Sequence, residues 1–193
     1  VNYQTKIKFL TTTFPKFQGD SHAPWILSIA ERLINYGYKV EVITPSSYDL
    51  KRFERFGKVE VYRFRYFWKK FERVAYGANI PSNLERSKVA KFVFPFFIFG
   101  FFFAAFRSLK NTDAVHAQFG YSGLFVSLAH FIKRSKQTFF VSFYGRDVAE
   151  AMKYKFLYKL LFQRANLIFV LSEDMKKVLI KSGCPNDKIK VHH

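Results

Sequence analysis

The chain has 193 residues, of which 49% are apolar, enough for one domain with a proper core and too apolar for a disordered segment. Lys and Arg number 32 against 14 Asp and Glu, a formal charge of +18, and 26 residues are Phe. That combination points to an anionic partner, either nucleic acid or a membrane surface. The single cysteine, Cys184, excludes an internal disulfide and fits a reducing compartment.

Ile7, Phe9 and Thr11 alternate at period two and predict a first strand, so no secretory signal is expected ahead of it. The stretch "FPKFQGDSHAPW" (14–25) is a loop, and Ile26, Ile29, Ala30 and Leu33 recur at helical spacing up to a stop at Gly37. "KVEVITP" (39–45) is a second strand. A strand-helix-strand opening predicts a parallel sheet, whose ligands sit at the carboxyl ends of the strands. "SSYDLKRFERFG" (46–57) is expected to be a charged connection, and "KVEVYRFRYF" (58–67) a third strand with Arg63 and Arg65 on one side. Residues 69–90 are basic and irregular, a loop with short helical pieces. Residues 92–106 carry no charge. That run is shorter than the roughly 20 residues needed to cross a bilayer, and Pro95 and Gly100 weaken it, so a buried helix or one lying on a membrane is expected.

Further on, "DAVHAQ" (113–118), "TFFVSF" (138–143), "NLIFVLS" (166–172) and "KIKV" (188–191) are strands. Between them fall a helix over 123–132 and another over 151–165. Ser172 caps a last helix that starts with Glu173 and Asp174 and stops at Gly183. The alternation predicts a doubly wound, Rossmann-like α/β fold: a mostly parallel sheet with helices on both faces, as one domain over residues 1–193.

Chemistry is first narrowed by absences. The opening loop lacks the three glycines of a dinucleotide fingerprint, no P-loop or nucleophile elbow is present, and His22, His116, His130, His192 and His193 have no partner ligands at metal-binding spacing. Polar residues at the strand ends remain: Gly19 and Asp20, His116 and Gln118, and "SFYGRD" (142–147).

Taken in order, "FPKFQGDSHAPW" leading to "VITP", then "DAVHAQFGYSG", "FYGRDV" and "ANLIFVLSEDMKKVLIKSGCPNDKIKVHH" resemble the N-terminal domain of a retaining family 4 glycosyltransferase of two-domain GT-B architecture. The resemblance covers nearly the whole chain. It implies that Gly19 lies near the sugar-nucleotide phosphate and the acceptor, with Asp20 beside it or capping the helix near Pro24. His116 and Gln118 would face the cleft. Gly145, Arg146 and Asp147 would bind substrate, Arg146 at an anionic acceptor group and Asp147 at a sugar hydroxyl. Many members carry a His before that glycine, near the transferred sugar. Tyr144 stands there in this chain and is the candidate catalytic residue, although a phenol with a pKa near 10 cannot copy imidazole's titration.

The resemblance also implies a hexosyltransferase-type enzyme that needs no metal or other cofactor, its nucleotide sugar being a substrate held by a C-terminal domain outside this chain. Residues 1–193 alone are expected to be inactive. The acceptor would be lipid-linked or a polysaccharide. The basic region from Lys51 to Arg107 is expected to dock on an anionic membrane, placing the protein peripherally on the cytoplasmic face of the cell membrane, with no nucleic acid bound. A nucleic-acid-binding α/β domain is the alternative, motivated by the aromatics interleaved with cations in "RFRYFWKKFER". A receiver-type regulatory domain would need clustered acids after the first strand, and only Asp20 is there.

Overall fold

A computed structural model describes residues 5–77 and 79–192. The alternating run becomes β1 (Lys6–Thr11), and α1 (Pro24–Asn35) returns the chain to β2 (Lys39–Pro45), which pairs parallel to β1 with Leu10 opposite Ile43. Next come β3 (Phe53–Phe56), β4 (Val59–Phe64), α2 (Ile80–Arg86) and the long α3 (Lys88–Ser108). The second half runs β5 (Ala114–Gln118), α4 (Gly120–Ile132), β6 (Thr138–Ser142), α5 (Arg146–Lys153), α6 (Lys155–Arg164), β7 (Leu167–Val170), α7 (Glu173–Lys181) and β8 (Ile189–Val191). The strands form one sheet of order β3-β4-β2-β1-β5-β6-β7-β8. It is parallel except at β3. Chain direction across the sheet reverses between β1 and β5, where Thr11 pairs with Gln118. A crevice outside the carboxyl ends of these two strands is where such sheets bind ligands.

Helices cover the two faces unequally. On one, α1 buries Ile26, Leu27 and Ala30 in a cluster with Phe9, Val40, Val42 and Val61. On the other, Val115, Val141 and Ile168 share a larger core with buried residues of α3, α4, α5, α6 and α7.

Four expectations are corrected. The charged connection ends in a strand, β3, which forms an antiparallel hairpin with β4 in which Phe56 pairs with Val59. Gly57 makes the tight turn at φ 58°. The helix expected over 151–165 is two helices broken at Tyr154, and α4 begins at Gly120, a turn before its apolar spacing becomes regular. The uncharged run is the middle of a 21-residue helix, because the Ser87 hydroxyl accepts from Ala90 N–H (3.1 Å) and starts α3 upstream at Lys88. Pro95 lies inside that helix, where it removes one backbone donor without ending it. Gly100 permits close packing: a Cβ there would lie 2.8 Å from Cβ of Tyr66. By length and composition α3 is long and apolar enough to cross a membrane. One stripe of it, Ala90, Val93, Phe97, Phe101, Ala104 and Ala105, is buried against the sheet.

Arg63 lies in β4, within the strand expected there, and its guanidinium is fully buried, donating to Tyr76 Oη (2.6 Å) and the Pro15 carbonyl (2.7 Å) with Glu54 at 3.5 Å. Arg65 likewise pairs with a buried carboxylate, Glu72, which also accepts from the backbone of Tyr66 (2.8 Å).

Candidate functional site

A groove of about 1370 Å³ opens at the carboxyl ends of β1, β5 and β6 and runs out between α1, α2, α3 and α4. Its two ends differ in chemistry. Near the strand ends it is lined by Thr13, His22, Tyr144, Arg146 and Glu150, and farther out by Ile80, Leu84, Phe94, Phe97, Ile98 and Phe125.

The loop after β1 is folded around Asp20. This nearly buried carboxylate accepts from the backbone of Lys16 (2.8 Å) and His22 (3.2 Å) and from His22 Nδ1 (3.1 Å). Burial pushes the Asp20 carboxyl up, but these hydrogen bonds outweigh it and leave the group below the usual carboxylate range. Asp20 therefore closes the loop and does not cap α1, whose N-cap is Ala23 with no side-chain cap bond. His22 Nε2 lies 3.0 Å from the Gly77 carbonyl. With an acceptor at each ring nitrogen the imidazolium is favoured, and the Gly77 carbonyl and the Asp20 carboxylate hold the His22 pKa above its ordinary value. An imidazole anchored at both ring nitrogens thus stands at the polar end of the groove, on a residue first considered only as a metal ligand. Gly19 is not in the groove wall. It makes an exposed turn at φ 90°, and a Cβ there would meet nothing within 4 Å, so the backbone dihedral and not close approach requires glycine.

Across the groove, Asp147 is 1% exposed and accepts from the backbone of Gly120 (2.8 Å), Tyr144 (3.0 Å) and Gly145 (3.0 Å). Burial pushes its carboxyl above the ordinary range against the pull of those bonds. The side chain expected at a sugar hydroxyl is instead spent tying the β5–α4 turn to the β6–α5 turn. Gly145, at φ 133°, supplies the turn into α5 that brings those N–H groups together. Arg146 is exposed on the groove wall, 3.5 Å from Glu150 one helical turn on.

Tyr144 packs between Trp25 and Phe119, with ring centroids at 5.7 and 4.9 Å, and its hydroxyl donates to Gln118 Oε1. Burial pushes its pKa up to about 12, so it stays a neutral phenol and is a donor, not a general base. Gln118 is fully buried beneath it, and its Nε2 has no protein partner among the described residues. His116, two residues earlier on the same strand face, does not reach the groove. It sits against Phe9, Phe140 and Phe169 with Nε2 2.8 Å from Ser142 Oγ, and burial pushes its pKa down to about 4. Among the described residues no group of acids, histidines and cysteines is arranged to hold a metal.

The expected residues thus form two layers. Tyr144, Arg146 and Asp147 border the groove, with Gln118 and Gly145 supporting them, while Gly19, Asp20 and His116 shape the loop and the sheet. Trp25 and Arg32 of α1, Leu84 of α2 and Phe125 of α4 line the groove as well, yet only the fold brings these three helices together. In sequence they look like ordinary amphipathic helix residues.

Residues 24–193 match the family described as Glycosyltransferase Family 4. The chain belongs to this family. No curated protein matches the sequence. Among solved structures, sucrose-phosphate synthase from Thermosynechococcus elongatus is similar at TM-score 0.60 and 12% identity, over 92% of this chain and 45% of that one. Anabaena HepE in complex with UDP gives 0.57 and 14%, over 97% and 43%. The lipopolysaccharide outer core galactosyltransferase WaaB in its apo form gives 0.53 and 14%, over 97% and 45%. At such identities the shared property is the fold, and the chain spans less than half the length of these three proteins. The mostly parallel Rossmann-like sheet of this family 4 chain is that of GT-B enzymes, with the groove at the reversal point of the strand order.

Proposed function

We propose that this domain holds the acceptor in an enzyme that transfers a hexose from a nucleotide sugar to a lipid-linked acceptor at an anionic membrane. The observation that carries the reading is the groove's change of character along its length. Its polar end, with His22, Tyr144 and Arg146, suits a sugar or phosphate, and its far end, with Phe94, Phe97, Ile98 and Phe125, suits a hydrocarbon chain better than a hydrated polysaccharide. The outer face of α3 supports the membrane part, for Phe92, Phe96, Phe99 and Phe103 are exposed beside Lys88 and Lys91. Each cation near an anionic surface contributes on the order of 1 kcal/mol.

In this reading the donor is held mainly by a second domain beyond residues 1–193, and closure of the cleft brings it to the acceptor. Tyr144, oriented by its bond to Gln118 beneath it, positions the reacting sugar by hydrogen bonding, and no metal or other cofactor is required. The protein works peripherally on the cytoplasmic face of the membrane. Nucleic acid is the weaker partner, because Arg63 and Arg65, the cations that open "RFRYFWKKFER", are taken up in internal bonds.

Flotation with anionic liposomes tests the membrane reading: binding is expected at low salt and reduced at high salt, and no binding at low salt overturns it. For the domain assignment, residues 1–193 should bind UDP- and GDP-sugars no tighter than roughly millimolar and show no turnover, since most donor contacts lie elsewhere. Micromolar binding by calorimetry would place the donor site in this chain.

A further inference from the structure

We infer that a second, smaller cavity on the other side of α2 is a binding site for a phosphate or diphosphate group. The inference stands apart from the acceptor reading, because it needs neither a transferase reaction nor the large groove. α2 separates the two spaces: Ile80, Pro81 and Leu84 line the groove, while Asn83 and Arg86 line this cavity of about 300 Å³. By liquid volume that is about ten water molecules, room for a hydrated diphosphate.

Charge sets the chemistry. Lys16, Arg73 and Arg86 all line the cavity. Lys16 Nζ pairs with Asp49 at 3.1 Å, whereas Arg73 and Arg86 have no carboxylate partner among the described residues. Three cations less one carboxylate leave a surplus of two positive charges, the complement of a phosphate dianion. Guanidinium groups suit phosphate in particular, because their planar donor fork can engage two oxygens at once. Ser87, the N-cap of the 21-residue α3, also lines the space, and no acidic residue occupies the first turn of that helix.

The cavity is built as well as charged. Asn83 Nδ2 donates to the carbonyls of both Val74 and Tyr76 (2.9 Å each), Val74 N–H donates to the Tyr66 hydroxyl (3.1 Å), and His22 Nε2 is bonded to the Gly77 carbonyl (3.0 Å). The turn that follows Arg73 is therefore held at Val74, Tyr76 and Gly77. The Arg73 guanidinium itself lies 5.0 Å over the Tyr48 ring, which orients its plane and leaves its edge open. Such groups need little reorganisation to receive an anion, which is the condition under which charge-assisted bonds contribute most.

The phosphate could come from solution or from a lipid headgroup, and two arms separate them. In the first, the protein is titrated with pyrophosphate by calorimetry. In the second, it is floated with phosphatidylcholine vesicles with and without phosphatidic acid. The variant is Arg73→Ala/Arg86→Ala, and the control, of equal charge loss, is Lys181→Ala/Lys190→Ala, two exposed positions without ion pairs. Both arginines are exposed and free of carboxylate partners, so the fold should be retained; Arg86→Gln alone serves if the double variant is unstable. Loss of about tenfold or more in affinity for the arginine variant, with the control unchanged, supports the site: in the first arm it identifies free phosphate, in the second only a headgroup. Equal behaviour of variant and control in both arms, or no binding by the unaltered protein in either, overturns it.

Discussion

Residues 63–73 and helix α3 invert each other. The first stretch, "RFRYFWKKFER", is rich in charge, yet the side chains of Arg63 and Glu72 are 0% exposed. The second is nearly pure hydrocarbon, yet Phe92 and Phe99 are 66% and 64% exposed. What separates them is partnership, not polarity. Arg63 finds Tyr76, the Pro15 carbonyl and Glu54 at one point, so both terminal nitrogens of its guanidinium exchange water for protein acceptors while Nε stays unpartnered among the described residues. A helix has only one face to give the sheet. The α3 stripe through Val93, Phe97 and Phe101 takes it, and Phe92, Phe96, Phe99 and Phe103 are left on the other side. Residue type set the total, and geometry decided which residues went in.

The inward charge offers the largest test of this contrast. Arg63→Ala should cost about 4 kcal/mol, because removing one partner of a buried ionic network leaves the others desolvated and unpaired. Urea unfolding gives the value directly, and a loss below about 1 kcal/mol would mean that Arg63 is as dispensable as a surface cation.

His116 extends the comparison to a half-buried group whose surroundings favour the neutral form. Its folded pKa is pushed down to about 4, from an ordinary value near 6.5. Between those values the unfolded chain binds the proton and the folded chain does not, so stability falls as pH drops from 6.5 to 4 and changes no further from this group below that. The full loss is about 3 kcal/mol. His116→Gln should flatten that part of the pH profile of the unfolding midpoint. An unchanged slope would place the imidazole in contact with water.

Periodicity revealed most of the fold because most strands and helices here have a single buried face. It failed where burial is not the organising force. Phe53–Phe56 is an edge strand whose Glu54 and Arg55 carry no apolar alternation, and only the two residues between it and the strand that follows, with Gly57 first, signal a hairpin. The site was half legible. Tyr144, Gln118 and Arg146 stand where strand-end logic puts them. The groove wall did not show, since Trp25, Leu84, Phe97 and Phe125 meet only through the packing of four helices. Asp147 shows a further limit: the sequence marks a carboxylate at the right turn, but three backbone N–H groups claim it before any substrate can.

Where the polar layer meets the groove, a smaller effect is expected. Tyr144→Phe removes the hydroxyl that Gln118 Oε1 accepts from, leaving a buried carboxamide with neither end paired by that contact. The expected cost is about 1 kcal/mol. Gln118→Leu in the Tyr144→Phe background should recover much of it, since removing both members spares the desolvated partner. A double variant no more stable than Tyr144→Phe would show that the bond is not what holds Gln118 in place.

The outward phenylalanines should affect folding least. Phe92→Ser/Phe99→Ser changes two side chains that are already mostly in water, so the unfolding free energy should move by less than about 1 kcal/mol in total. Membrane binding should respond quite differently. A phenylalanine fully transferred from water to an apolar phase contributes about 1.5–3 kcal/mol, so even shallow insertion of the pair predicts at least about tenfold weaker liposome binding. The salt dependence of what remains should persist, because Lys88 and Lys91 are untouched. Unchanged flotation with unchanged stability would leave the exposed phenylalanines without a role at the membrane, and a large loss of stability would mean that they are packed against something in the folded protein after all.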